Sequence, residues 1–183
     1  MLGYVLWHSP ADGVDASLYE QALNAFHSRL TAHAPRGFQG SAAFAFGQTP
    51  WFPGNRGYLD WYKVDDFASL GELNDGAVSG ARKEPHDKVA AQAGNGAAGV
   101  FRLAAGSADF AGVAVGTWFR KPAGMSYGEF LEQASGLIDP STMGLWLRQM
   151  TLGPGPEYCI LSPEPVRMPD ACEPVTIELR PTL

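Results

Sequence analysis

The sequence predicts an α+β protein made of two tandem β-α-β-β-α-β units, the second lacking its second helix. Three observations carry this. The stretch from Gly57 to Arg102 reads as strand, broken helix, strand. A short aromatic strand ended by proline, then an S-x-x-E box opening a helix, occurs twice, with Pro10, Ser17 and Glu20 in one copy and Pro122, Ser126 and Glu129 in the other. The offset between the copies is about 110 residues, too long for a solenoid period, so the expected units are residues 1–105 and 110–183.

Gly3 to Ser9 alternates and is rich in aromatic and β-branched residues, as a strand does, and Pro10 with Asp12-Gly13 ends it. In the helix that follows, Tyr19, Ala22, Leu23, Phe26 and Leu30 have the spacing of one buried face, and Pro35 and Gly37 close it. Phe38 to Phe46 alternates again. The loop Gly47 to Gly57 is too long for a tight hairpin, so its aromatics Trp51 and Phe52 are expected to fold back over the protein. Gly57 opens the third strand. A helical segment runs from Phe67 with a break near Asp75 to Gly80, and Gly94-Asn95-Gly96 stops it before the strand through Arg102. After a small-residue linker, Gly112 to Pro122 is a strand, the helix opens at Ser126, and Asp139-Pro140 breaks it. Met143 to Leu152, Glu157 to Pro163 and Glu173 to Pro181 supply three more strands.

With 183 residues and a hydrophobic fraction of 45%, the chain can fill a substantial core. Its net charge of -6, with 13 Lys and Arg thinly spread, excludes nucleic acid as the expected partner, because phosphate backbones are held by clustered cations. No window approaches the roughly 18 apolar residues of a membrane span and no leader pattern opens the chain, so a cytoplasmic protein is expected. Charged residues at 17% fall below the usual ~25%, which favours a homo-oligomer. Cys159 and Cys172 form no metal-ligand or disulfide pattern.

The motifs that imitate chemistry fail on context. Gly94 to Gly99 spells G-x-G-x-x-G but follows a helix and leads into a strand, the reverse of a dinucleotide fingerprint. Gly124 to Gly128 spells G-x-S-x-G, yet all four histidines (His8, His27, His33 and His86) lie upstream of Ser126, which reads as a helix cap. The histidines make no metal-binding pair, and His27 and His33 are expected to be solvated on the first helix. No cofactor is expected.

The layout of a short aromatic first strand, a helix, and a broken second helix before the fourth strand, given twice, resembles the dimeric α/β-barrel superfamily. That ferredoxin-like group includes antibiotic-biosynthesis-type and haem-degrading monooxygenases. The resemblance implies two four-stranded sheets from one chain facing each other as an intramolecular α/β barrel around a pocket. It also implies that a haem-binding member would place a ligand histidine on the second helix, where His86 is the nearest candidate.

Alternation divides the strand residues into two classes. Val5, Trp7, Phe38, Ala42, Phe44, Phe46, Leu59 and Trp61 are expected under the helices of the first half, which leaves Tyr4, Leu6, His8, Gln39, Ser41, Tyr58, Asp60, Tyr62 and Arg102 opposite. In the second half Val113, Val115, Thr117, Phe119, Leu145, Leu147, Val175, Ile177 and Leu179 are expected under the helix, with Trp118, Arg120, Trp146, Arg148, Glu178 and Arg180 opposite. The polar and aromatic classes would line the barrel and bind a small anionic molecule with flat apolar parts. Arg120 and Arg148 would hold its acid groups and Trp118 and Trp146 would wall it. Tyr4, Tyr58, Tyr62 and Arg102 would complete the site. In the ferredoxin-like strand order 4-1-3-2 the first and third strands are antiparallel neighbours, which brings His8 near Asp60 as an acid/base pair. A cofactor-independent monooxygenase-like or isomerase-like reaction fits. The alternatives are a non-catalytic binding or assembly domain and, third, a haem protein.

Overall fold

A computed structural model describes residues 1–150, 153 and 155–183. Its strands are β1 Leu2–Pro10, β2 Phe38–Phe46, β3 Gly57–Val64, β4 Ala93–Gly106, β5 Val115–Phe119, β6 Gly144–Gln149, β7 Tyr158–Ser162, β8 Val175–Glu178 and β9 Arg180–Pro181. The α-helices are α1 Ala16–Ala32, α2 Phe67–Ala77, α3 Lys83–Ala90 and α4 Tyr127–Ser135. Thr151 and Leu152, read above as the end of a strand, lie outside the described residues.

The protein is a mixed α/β structure with one large antiparallel sheet, in the order β8-β5-β7-β6-β4-β1-β3-β2-β9. The order β4-β1-β3-β2 on one side is repeated as β8-β5-β7-β6 on the other, and β4 pairs with β6 where the two runs meet. The strands β8 and β9 lie at opposite ends of the sheet although only Leu179 separates them in sequence. Among the described residues no ladder joins those two ends, so hydrogen bonding does not close the sheet into the expected barrel. Between β7 and β8 the only helical turn is the 3-10 segment Asp170–Cys172.

Local chemistry explains most boundaries. Asp15 caps α1, its Oδ1 accepting from the backbone N–H of Ser17 and Leu18 at 2.9 and 3.0 Å. The Ser17 box is therefore displaced, because a carboxylate at the N-cap serves two free amides and also complements the positive helix end. Glu20 is drawn elsewhere, to Arg180 at 2.7 Å. Ser126 does cap α4, accepting from Glu129 N–H at 3.2 Å. The glycine-rich run is part of β4 and not a helix stop, with Gly96 and Gly99 paired to His8 and Val5. A Cβ on Gly94 would sit 3.0 Å from both the Pro10 carbonyl oxygen and the Ala11 Cα, so this close approach of two strands needs glycine.

Three apolar cores form, and they reverse part of the expected facing. The largest is made of strand residues, the Trp51–Phe52 loop and the connection from β4 to β5, and contains none from the α-helices: Val5, Trp7, Phe44, Leu59, Trp61 and Phe101 pack on Trp118, Trp146, Cys159, Leu161 and Ile177. The five tryptophans join in it, with Trp61–Trp146 and Trp7–Trp118 ring centroids 5.0 Å apart and Trp51 reaching Trp7 and Trp118. Helices α1, α2 and α3 instead cover the other class, in a core holding Tyr19, Leu23, Phe26, Tyr58, Tyr62 and Val64. In the second half Phe119, Leu145 and Leu147 do lie under α4, but Val113, Ile177 and Leu179 belong to the strand core. The register explains the last two, since Gly116 opposes Ile177 and Trp118 opposes Val175, which puts β8's odd-numbered residues on the Trp118 face.

Candidate functional site

Placing the tyrosine class under the helices creates a cavity there. It has a volume of about 750 Å³ and lies between the β1-β3-β4 face and helices α1, α2 and α3. Strands β1 and β3 supply its polar floor, Tyr4, His8, Asp60 and Tyr62. Leu23 and Phe26 from α1, Leu70 and Leu73 from α2, Val89 from α3 and Val100 from β4 make apolar walls. Phe67 and Val78, 50% and 47% exposed, stand at its rim, which gives a ligand an entry from solvent. Among the described residues no Lys or Arg lines it.

Asp60 is the centre of the floor. It is 1% exposed, and its Oδ2 accepts a hydrogen bond from Tyr62 OH at 2.8 Å. His8 Nε2 approaches the same oxygen at 3.1 Å and His27 Nε2 at 3.4 Å. The His8 approach lies off the line that a hydrogen bond requires, so His8 acts there through its charge distribution more than through a bond. Asp60 Oδ1 is buried and accepts no hydrogen bond from the protein. On their far sides the two rings are held by hydroxyls, His8 Nδ1 by Tyr19 OH at 2.6 Å and His27 Nδ1 by Ser41 Oγ at 2.7 Å. Tyr62 stacks on His27 with ring centroids 5.0 Å apart, and Tyr58 on His8 at 5.7 Å.

Burial by itself would raise the Asp60 carboxyl. The electrostatic pull of His8, then of His27, outweighs burial and holds the group well below the ordinary carboxylate range. Asp60 is thus ionised at neutral pH. Tyr62 moves the other way, pushed far above its usual value by burial and then by the Asp60 charge, so it remains a donor. Burial and then Asp60 raise Tyr19 and Tyr4 too. The floor therefore holds one fixed negative charge among protonated phenols.

The residues singled out in the sequence go to three places. Tyr4, His8, Asp60 and Tyr62 meet at the cavity floor. Tyr58 stands beside it, its OH donating to the Ala16 carbonyl and to Glu20, each at 3.3 Å. Trp118 and Trp146, both 0% exposed, are packed in the strand core. Arg120 is exposed and pairs with Glu173 at 3.5 Å, and Arg148 donates to the carbonyls of Gly153 and Gly155 at 3.2 and 2.6 Å. Arg102 is exposed on β4. None of the three arginines lines the cavity.

The histidine expected in solvent is central. His27 is 1% exposed, since it falls on the same helix face as Tyr19 and Leu23, four residues apart in sequence, and that i, i+4 spacing was the available signal. His86 sits at the cavity's edge on α3, its ring edge-on to Phe26 at 5.5 Å and its Nδ1 3.2 Å from Asp87. Among the described residues no group of three or more His, Cys, Asp or Glu side chains is placed to hold a metal ion, and no helix is long and apolar enough to cross a membrane.

The sheet and the four helices define a mixed α/β protein with a buried carboxylate under its helices. No protein-family model matches the sequence, and no curated protein matches it. In structure the chain is similar to a crystal structure from Fusobacterium nucleatum subsp. nucleatum, assigned there only as a candidate monooxygenase. The TM-score is 0.63 at 11% identity, over 100% of this chain and 93% of that one. At such identity the likeness shows a shared fold.

Proposed function

We propose that this protein binds a small, largely apolar organic molecule under its helices and transfers a proton from it, in a cofactor-independent monooxygenase-like or isomerase-like reaction. The observation that carries the reading is an ionised, buried Asp60 with one oxygen unused, set at the floor of a cavity open at Phe67 and Val78. A substrate proton passes to Oδ1. Tyr62 and His27 keep the carboxylate oriented through Oδ2, and His8 Nε2 stands beside the charge left on the substrate. Likeness to a candidate monooxygenase supports this class weakly, through fold alone. The substrate expected from the sequence was anionic; the cavity keeps the apolar, flat part of that expectation and offers no arginine for the acid part.

The two runs of strands are read within this proposal as ferredoxin-like repeats, residues 1–105 and 110–183, which share one strand order. The test is a metabolite-library thermal-shift screen, with hits then incubated under oxygen and, separately, in deuterium oxide. Oxygen uptake marks the monooxygenase-like reaction and deuterium incorporation the isomerase-like one, and Asp60→Asn should abolish either by about 10²–10⁴-fold. Turnover unchanged in Asp60→Asn would remove the carboxylate from the mechanism. Binding without turnover of any hit would leave a binding protein.

A further inference from the structure

We infer that Tyr4 orients the ligand in the cavity, and that this ligand carries a carbonyl group whose oxygen accepts a hydrogen bond from the Tyr4 hydroxyl. This rests on the reading that the substrate binds in the cavity under the helices. The first ground is the unequal use of the phenols. Tyr62 OH donates to Asp60 Oδ2 at 2.8 Å, Tyr19 OH lies 2.6 Å from His8 Nδ1, and Tyr58 OH donates to the Ala16 carbonyl and to Glu20. Tyr4 lines the same cavity, opposite Tyr62 in the β1–β3 register with the two ring centroids 6.2 Å apart. Among the described residues its hydroxyl has no hydrogen-bond partner. Nor is that hydroxyl sealed inside the protein, since Tyr4 is half-buried and its oxygen is not among the buried unpaired polar atoms, in contrast to the indole nitrogens of Trp61, Trp118 and Trp146. A phenol that the fold leaves free at the wall of a cavity is open to a ligand.

The second ground is the chemistry around that hydroxyl. Burial, and then the Asp60 charge, raise the Tyr4 phenol, so it keeps its proton at neutral pH and can donate it to a hydrogen bond. The walls contributed by Leu23, Phe26, Leu70, Val89 and Val100 have apolar side chains that neither donate nor accept. A carbonyl oxygen only accepts, so a single donor satisfies it. A ligand hydroxyl or amide would bring a donor of its own, which these side chains leave unpaired. A plain hydrocarbon would cover the Tyr4 hydroxyl without pairing it, which is unfavourable for a polar group taken out of water. An otherwise apolar ketone, ester or quinone avoids both penalties.

The experiment uses three uncharged compounds on one ring frame: 1-tetralone, 1-tetralol and tetralin. Their affinities for the full chain are measured by calorimetry and ligand-observed NMR. In the native protein 1-tetralone is expected to bind tighter than 1-tetralol. In Tyr4→Phe, which keeps the ring and removes only the free hydroxyl, 1-tetralone should bind about three- to tenfold more weakly, while tetralin should bind no more weakly than before. The urea midpoint of Tyr4→Phe should match that of the native protein, because the lost hydroxyl holds nothing in the fold; a clear drop would overturn the premise of a free donor. Ala77→Trp, which fills the cavity from α2 without touching Tyr4, should weaken all three compounds. If Tyr4→Phe leaves 1-tetralone unchanged or weakens tetralin equally, or if 1-tetralol binds as tightly as 1-tetralone, with Ala77→Trp still blocking, the inference is overturned and the cavity remains the site. Binding untouched by Ala77→Trp, or no binding of any of the three, removes the cavity reading and the inference with it.

Discussion

Removing one hydroxyl should report on the charge state of Asp60. In Tyr62→Phe the ring and its stack on His27 are retained, and the hydroxyl's 2.8 Å hydrogen bond to Oδ2 is lost together with its 3.4 Å hydrogen bond with His27 Nε2. The acceptor is a fully buried carboxylate, so the bond belongs to the charged class, and its loss should destabilise the fold by about 1.5–3 kcal/mol near neutral pH. Asp60 is depressed in the folded state, so its ionised form stabilises the protein, fully so above the ordinary carboxylate range. That contribution is lost as pH falls through the lower, folded value. The deficit of Tyr62→Phe should therefore persist on acidification through the ordinary carboxylate range and shrink, toward the roughly 0.5–1.5 kcal/mol of a neutral hydrogen bond, only where Asp60 takes up its proton at the lower, folded value. Urea denaturation of both proteins at closely spaced pH values, from neutral down to the onset of acid unfolding, measures this directly. A deficit below about 0.5 kcal/mol near neutral pH, or one that vanishes already within the ordinary carboxylate range, would refute a charged Asp60 held by Tyr62.

Three further outcomes follow from the packing. Trp146→Ala should destabilise by about 3–5 kcal/mol in the same assay, because Trp146 is fully buried against Trp61 and no helix can shift to fill the space. Ser126→Ala should lose about 0.5–2 kcal/mol through the α4 cap, and a fluorophosphonate probe should leave Ser126 unlabelled. Cys159, whose thiol burial pushes well above its usual value, should react with a thiol reagent only at the rate of unfolding, measured by reagent absorbance with and without urea.

Much of the layout was legible because it depends on neighbours in sequence. Strand alternation separated Leu59 and Trp61 from Tyr58, Asp60 and Tyr62, and the prolines, glycines and Ser126 cap marked most element ends. The pairing of β1 with β3 then brought His8 to Asp60, since Leu6 opposes Asp60 and His8 opposes Tyr58. The α1 cap was misplaced by two residues because Asp15 and Ser17 both satisfy the local rule, and only geometry chooses between them.

Which class meets the helices is a different kind of question. A period of two sorts residues into faces without saying what covers each face, and both faces of this sheet are covered. The tryptophan class went between the two runs of strands, where Trp7, Trp61, Trp118 and Trp146 bury their large apolar surfaces against one another. The tyrosine class went under α1, α2 and α3, where Tyr19 and Ser41 meet the histidines and Tyr58 meets Glu20. That choice moved the cavity from between the strands to beneath the helices, separated Asp60 from Arg120 and Arg148, and brought in His27. Residue order by itself determined the strands, the helices and the meeting of His8 with Asp60. The position of the cavity and the full set of groups around its carboxylate were decided by the tertiary structure, because they depend on how distant surfaces compete for one another, which no local pattern encodes.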